Sequence, residues 1–173
     1  MQDLPTFSLI DFNNVPNELE NILNNNRKTL QQLLKSDHFN WGNLLEPLEA
    51  MNDDLHQYWT KINHMNSVVN TKKLREVYNV CLPMLSDYYT ELSHNNDLYL
   101  AIKSIVDSPL FATLDTVQRK VITNELRDFK LAGVALPPEK KQEFAVLVKE
   151  LDQLQTQFEE NLLDATNSWS KLV

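Results

Sequence analysis

The sequence predicts an all-α fold: a multi-helix bundle of about six helices, closed by a long C-terminal helix. Three observations carry that expectation. Only two glycines, Gly42 and Gly133, occur in 173 residues, too few for a fold built on tight hairpins. Apolar residues recur at steps of three and four along most of the chain, the signature of helices with one buried face. The stretches are separated by helix punctuation: Pro16 and Pro138 at helix starts, Asn40 and Asp115 at N-caps, Gly133 just past a helix end.

Residues 1–14 contain Pro5 and show no helical period. They read as an extended N-terminal arm pinned by Phe7, Leu9 and Phe12, with residues 15–173 forming one helical domain. The first helix should run from Pro16 to about Ser36, with Leu19, Ile22, Leu23, Leu30, Leu33 and Leu34 on one stripe and the Asn24-Asn25-Asn26 run facing mostly outward. A second helix follows Asn40, its face marked by Trp41, Leu44, Leu45, Leu48, Met51, Leu55, Tyr58 and Ile62. Pro47 predicts a kink or a delayed start, because proline has no N–H to give the preceding turn. Residues 63–70 read as a polar, β-branched connector.

The third helix has the cleanest period. From Thr71, the residues Leu74, Tyr78, Cys81, Leu85, Tyr88 and Leu92 step by 4, 3, 4, 3 and 4, the seam of a helix packed along a partner. Pro83 lies off that seam and predicts a bend. A short fourth helix covers about 97–107, followed by a loop at Ser108-Pro109. Asp115 and Gln118 form a capping-box pair for a fifth helix striped by Val117, Val121, Ile122, Leu126 and Phe129. The sixth opens at LPPEKK, residues 136–141. It keeps its rhythm through Phe144, Leu147, Leu151, Leu154, Phe158, Asn161 and Ala165, widened by Leu162 and Trp169. The pattern runs to the last residue, so the helix should be roughly 35 residues and about 50 Å long. Half of it needs something outside this bundle to lean on. No stop signal precedes Val173, which predicts that the helix ends by an imposed cut rather than a native stop.

Charge excludes several functions. The formal net charge is −8, from 16 basic and 24 acidic residues. A non-specific nucleic-acid binder needs a basic excess to displace phosphate counterions, and an anionic membrane surface makes the same demand; neither partner is expected. No stretch is apolar enough to span a bilayer, and MQDLPTFSLIDF lacks the basic region of a secretory signal. The lone Cys81 can form no internal disulfide and sits on a core seam, which fits a reducing, cytoplasmic location.

Catalytic signatures are absent: no phosphate-binding glycine loop, no nucleophile elbow and no cysteine pair for zinc. One constellation resembles a di-metal carboxylate site. Asp53 and His56 sit at i, i+3 on the second helix, and Glu91 and His94 repeat the spacing on the third. Solvated or capping roles are the competing reading. Trp41, Tyr58, Trp59, Tyr88, Tyr89 and Trp169 are read as packing rather than a ligand box. Asp152, Glu159, Glu160 and Asp164 give the last helix an acidic side, read as a solvated face against a cation or basic-peptide site. No catalytic, cofactor-binding or metal residue is therefore expected in this chain.

Three longer stretches carry more than their physics. HMNSVVNTKKLREVYNVCLPMLSDY (64–88), LRDFKLAGVALPPEKKQEF (126–144) and NLLDATNSWSKLV (161–173) together resemble the N-terminal region of the thimet-oligopeptidase-like zinc peptidases. The PTF segment at 5–7 and the W-x-x-L-L-x-P-L stretch at 41–48 also fit. The resemblance implies an almost wholly helical protein that cleaves short peptides in a deep channel, with zinc on an H-E-x-x-H helix in the C-terminal half. None of His38, His56, His64 and His94 is followed by Glu, so no zinc or catalytic residue carries over. The resemblance makes this chain an N-terminal piece, inactive alone. It implies a missing C-terminal catalytic domain as partner, short peptides as substrates, zinc only in the whole enzyme, and self-association through the uncovered interface around Leu162, Leu163, Trp169 and Leu172. A free-standing helical interaction module remains the alternative.

Overall fold

A computed structural model describes residue 7 and residues 10–170. Six α-helices follow in order: α1 Val15–Leu33, α2 Glu46–Val68, α3 Lys72–Ser93, α4 Asn96–Val106, α5 Thr116–Leu131 and α6 Pro138–Ser168. No strand occurs among the described residues. A π-helical turn, Trp41–Leu45, precedes α2, and a 3₁₀ turn, Pro109–Thr113, joins α4 to α5.

The helix starts follow the side chains expected of them. Asn40 and Asn43 form a reciprocal cap, each side chain accepting from the other's backbone N–H at 3.0 and 2.8 Å. Asp115 and Gln118 do the same for α5. Thr71 and Asn95 accept from Leu74 N–H and Leu98 N–H. Each satisfies an amide that the helix itself cannot. Pro47 has the predicted effect as a delayed start: the chain turns first in π register, the Glu46 N–H donating to the Trp41 carbonyl five residues back, and only then enters α2. Gly133 closes α5 at φ 83°. Val134 N–H donates to the Phe129 carbonyl and Gly133 N–H to that of Lys130, at 3.0 and 3.1 Å, the paired bonds of a Schellman cap.

Four expectations need correction. Residues 63–68 are not a connector but the last turns of α2, which ends at Val68. The real break is at Asn70, at φ 45°, a conformation asparagine tolerates better than most residues. Asn26 is buried rather than outward-facing. Val117 is exposed, so the inner face of α5 rests on Ile122 and Phe129. α6 stops at Ser168, with Trp169 extended and exposed. In the arm, Ile10 and Phe12 pack on the bundle and Phe7 meets the His64 ring at 5.3 Å; Leu9 and Leu172 lie outside the described residues.

The apolar residues gather into two clusters. One joins the end of α1 and the π turn to α2, α4 and α5 through Leu44, Leu45, Leu48, Ile102, Ile105 and Ile122. The other joins the start of α1 to α2 and α3 through Val15, Leu19, Leu55, Ile62, Cys81 and Leu85. Burying each such side chain stabilises the fold by about 1.5–3 kcal/mol. No residue of α6 belongs to either cluster. Of its 31 residues only Thr156 is buried.

Candidate functional site

The four residues of the di-metal pattern are not brought together. Asp53 Oδ2 accepts from Gln57 Nε2 at 2.5 Å, and the His56 ring nitrogen lies 3.4 Å from the Thr60 hydroxyl. Glu91 accepts from Arg27 Nε at 2.8 Å, while the Arg27 guanidinium lies over the Tyr88 ring. His94 Nε2 donates to the Ala132 carbonyl at 2.8 Å, its ring meets Phe144, and its own carbonyl accepts from Lys141 at 3.0 Å. His94 therefore ties the end of α3 to the end of α5 and the start of α6. No three metal-binding side chains converge among the described residues. The residues present do not fit a zinc site.

The distinctive feature is α6, which shows its neighbours the opposite side from the one its sequence suggests. Phe144, Lys149, Glu160 and Asp164 of α6 meet His94, which caps the end of α3, and Asp87, Asn79 and Arg75 within α3. Rising numbers on one helix meet falling numbers on the other, so the two run antiparallel. Beyond the Phe144–His94 ring contact, these contacts are polar. Lys149 Nζ donates to both Asp87 oxygens at 3.0 Å, Asn79 Nδ2 to Glu160 at 3.2 Å, and the Arg75 guanidinium forks onto the Asp164 carboxylate. Fork-on-carboxylate geometry is the strongest form of such a pair. It holds Asp164 below the usual carboxylate range and raises Arg75. Tyr78 is raised by burial and then by the charges of Glu159, Glu160 and Asp152. The acidic side of α6 is thus partly solvated, Glu159 and Asp164 being exposed, and partly engaged.

The apolar stripe points the other way. Leu147, Leu151, Leu154, Phe158 and Leu162 remain 59, 53, 55, 68 and 58% exposed. At about 100° per residue, the centre of that stripe lies roughly 160° around the helix from Thr156, the one buried position. Val146 and Trp169 extend the exposed apolar surface. Sequence rhythm located this stripe, and Leu162 and Trp169 are exposed as expected, but it did not show which residues of α6 would dock.

Open grooves line the seam between α6 and the bundle. One of about 450 Å³ lies between the ends of α2 and α6, lined by Asn63, Asn66 and Asn70 against Glu159, Leu162 and Leu163. Another of about 470 Å³ lies between α3 and the first half of α6, walled by Trp59, Tyr89 and Phe144. A third of about 280 Å³, with no α6 residue in its wall, adjoins it across Tyr89, reaching Asn52 of α2 and Glu125 of α5. Burial, then the charges of Glu49 and Asp128, raises the Glu125 carboxyl. None of these grooves is flagged by a motif; they arise where helices distant in sequence fail to close on one another.

The chain is an all-α bundle whose last helix docks largely by charged and polar contacts and leaves an apolar stripe exposed. The profile of the neurolysin/thimet oligopeptidase N-terminal domain matches residues 19–141, and the chain belongs to that family as its N-terminal domain. Among curated proteins it is similar to oligopeptidase A of Haemophilus influenzae, 41% identical over the whole chain, and to oligopeptidase A of Escherichia coli, 38% identical over 99% of it. A probable cytosolic oligopeptidase A of Arabidopsis thaliana is 32% identical over 99% of the chain. The chain spans about a quarter of the length of these relatives.

Proposed function

We propose that this chain is the N-terminal helical domain of a zinc-dependent, cytoplasmic oligopeptidase that degrades short peptides, and that it forms part of the wall of the substrate channel. The observation that carries the reading is the outward apolar stripe of α6. A stripe of five large side chains turned from its own core needs a covering surface, and the relatives extend far beyond the matched region. In this reading the catalytic domain that follows covers the stripe. Zinc and the catalytic residues belong to that domain, and this chain contributes shape: a rigid bundle that narrows access to the channel. No helix here is long and apolar enough to cross a membrane among the described residues, which is compatible with the cytoplasmic reading.

The test is the continuing reading frame and its product. We expect an H-E-x-x-H segment downstream of residue 173. We also expect the complete protein to hydrolyse short internally quenched peptides in a chelator-sensitive way, while this chain alone does not. Amides of 146–166 in α6 should exchange more slowly in the complete protein than in the chain alone. Unchanged exchange there would refute the covering role, and hydrolysis by the chain alone would refute its role as a wall.

A further inference from the structure

The two cavities that flank Tyr89 share the side chains of Tyr89 and Ser93, so they form one groove across α2, α3, α5 and α6. Three features of this groove point to a ligand. The larger cavity, about 470 Å³, is walled mainly by apolar side chains, including Trp59, Leu85, Phe144 and Val148. That size and lining suit one large apolar side chain with backbone on either side. In its floor Ser86 is only 6% exposed, and its hydroxyl oxygen has no hydrogen-bond partner. The smaller cavity repeats this with Asn52, whose buried Oδ1 is also unpartnered. Buried oxygens without partners are uncommon, because leaving one unmet is destabilising. Both belong to residues that line the groove.

Charge completes the description. Asp152 lines the larger cavity, Glu125 and Asp128 line the smaller, and no lysine or arginine lines either. Asp128 pairs with its neighbour Arg127, whereas Glu125 and Asp152 have no ion-pair partner among the described residues. An apolar slot, two waiting acceptors and an uncompensated acidic end select a ligand with an apolar body, N–H groups and a cation.

We propose that this groove is a subsite for a peptide, turned beside Tyr89, in which an apolar residue is followed by lysine or arginine. The apolar side chain fills the larger cavity against Trp59 and Phe144. Backbone N–H groups donate to Ser86 Oγ and Asn52 Oδ1. The cationic side chain passes Tyr89 and reaches Glu125. That such a peptide is a substrate rests on the channel-wall reading above; that the groove binds it does not.

The experiment is a titration of the ¹⁵N-labelled chain with the blocked peptide Ac-Ala-Leu-Arg-Ala-NH₂, read at the Trp59 indole N–H and the amides of Ser86 and Tyr89. We expect saturable shifts confined to the groove. Replacing Arg with Glu in the peptide should weaken binding by about tenfold or more, as should replacing Leu with Ser. Glu125→Gln should weaken the Arg peptide about fivefold while leaving a norleucine analogue of that Arg position unaffected. Ser86→Ala should weaken both peptides. Equal binding of the Arg and Glu peptides, shifts scattered outside the groove, or none at about 10 mM peptide would overturn the proposal. So would loss of the groove shifts when the continuing chain is attached, since that chain would then be the occupant. Failure of the covering role of α6 leaves this titration unaffected, because it reads a different surface.

Discussion

The sharpest consequence of the α6 geometry is a substitution with opposite effects in two contexts. Leu154 and Phe158 sit mid-stripe, 55 and 68% exposed, and neither belongs to a core cluster. Changing both to Gln keeps helix propensity near that of the parent residues. In the chain alone the double variant should shift the free energy of unfolding by no more than about 0.5 kcal/mol, the ordinary range for surface positions. Ile122→Ala, fully buried in the first cluster, should cost about 2–5 kcal/mol in the same assay. Docking is different. Full burial of Leu or Phe is worth about 1.5–3 kcal/mol, and more than half of that is still ungained at each site, so about 1–1.5 kcal/mol per side chain remains available. The double variant should therefore weaken association with the catalytic domain proposed above by about 2–3 kcal/mol, roughly 30- to 140-fold. Urea unfolding of the chain, and titration of the chain against the separately expressed remainder of the protein, read the two quantities. A loss above about 2 kcal/mol in the chain alone would show that the stripe is internal packing and sink the argument. Unaltered association would sink it from the other side.

Other outcomes follow from the same contacts. The chain alone should self-associate through the stripe, and static light scattering should show the Leu154→Gln, Phe158→Gln variant returned to monomer. Gly133→Ala should destabilise by about 1–2 kcal/mol or more, because φ 83° disfavours any Cβ and the added methyl would overlap Leu136; thermal unfolding measures it. Arg75→Gln removes the fork onto Asp164, so amides of 156–168 should exchange faster while the global unfolding midpoint stays put, and raised salt should mimic the variant. Burial pushes the Cys81 thiol up to about 11 from 9.0. The unfolded thiol ionises first, so stability should hold below about pH 9 and fall between 9 and 11. Cys81→Ala should reduce that slope in urea unfolding measured across the window.

Much of this protein could be read from residue order. Six helices, their caps at Asn40, Thr71 and Asp115, the Gly133 closure and the buried seam from Leu74 to Tyr88 all depend on neighbours within a turn or two. Local hydrogen bonds and side-chain periodicity settle such features, and both are written in sequence. The family also showed in unbroken stretches of chain. Errors came where a local preference yielded to tertiary packing. NHMNSV at 63–68 has poor helix formers, yet Asn66 is buried, Tyr78 donates to Asn63, and the helix continues.

What sequence determined about α6 was that it exists, is long and has an apolar stripe. Which way that stripe faces was decided only in three dimensions. A helix has two sides, and its period states where each lies but not which one a neighbour takes. Here Asn79, Arg75 and Asp87 of α3 offer Glu160, Asp164 and Lys149 matched partners, and the two clusters already hold the apolar faces of the other helices. The polar side therefore turns inward, and the leucines and Phe158 are left exposed.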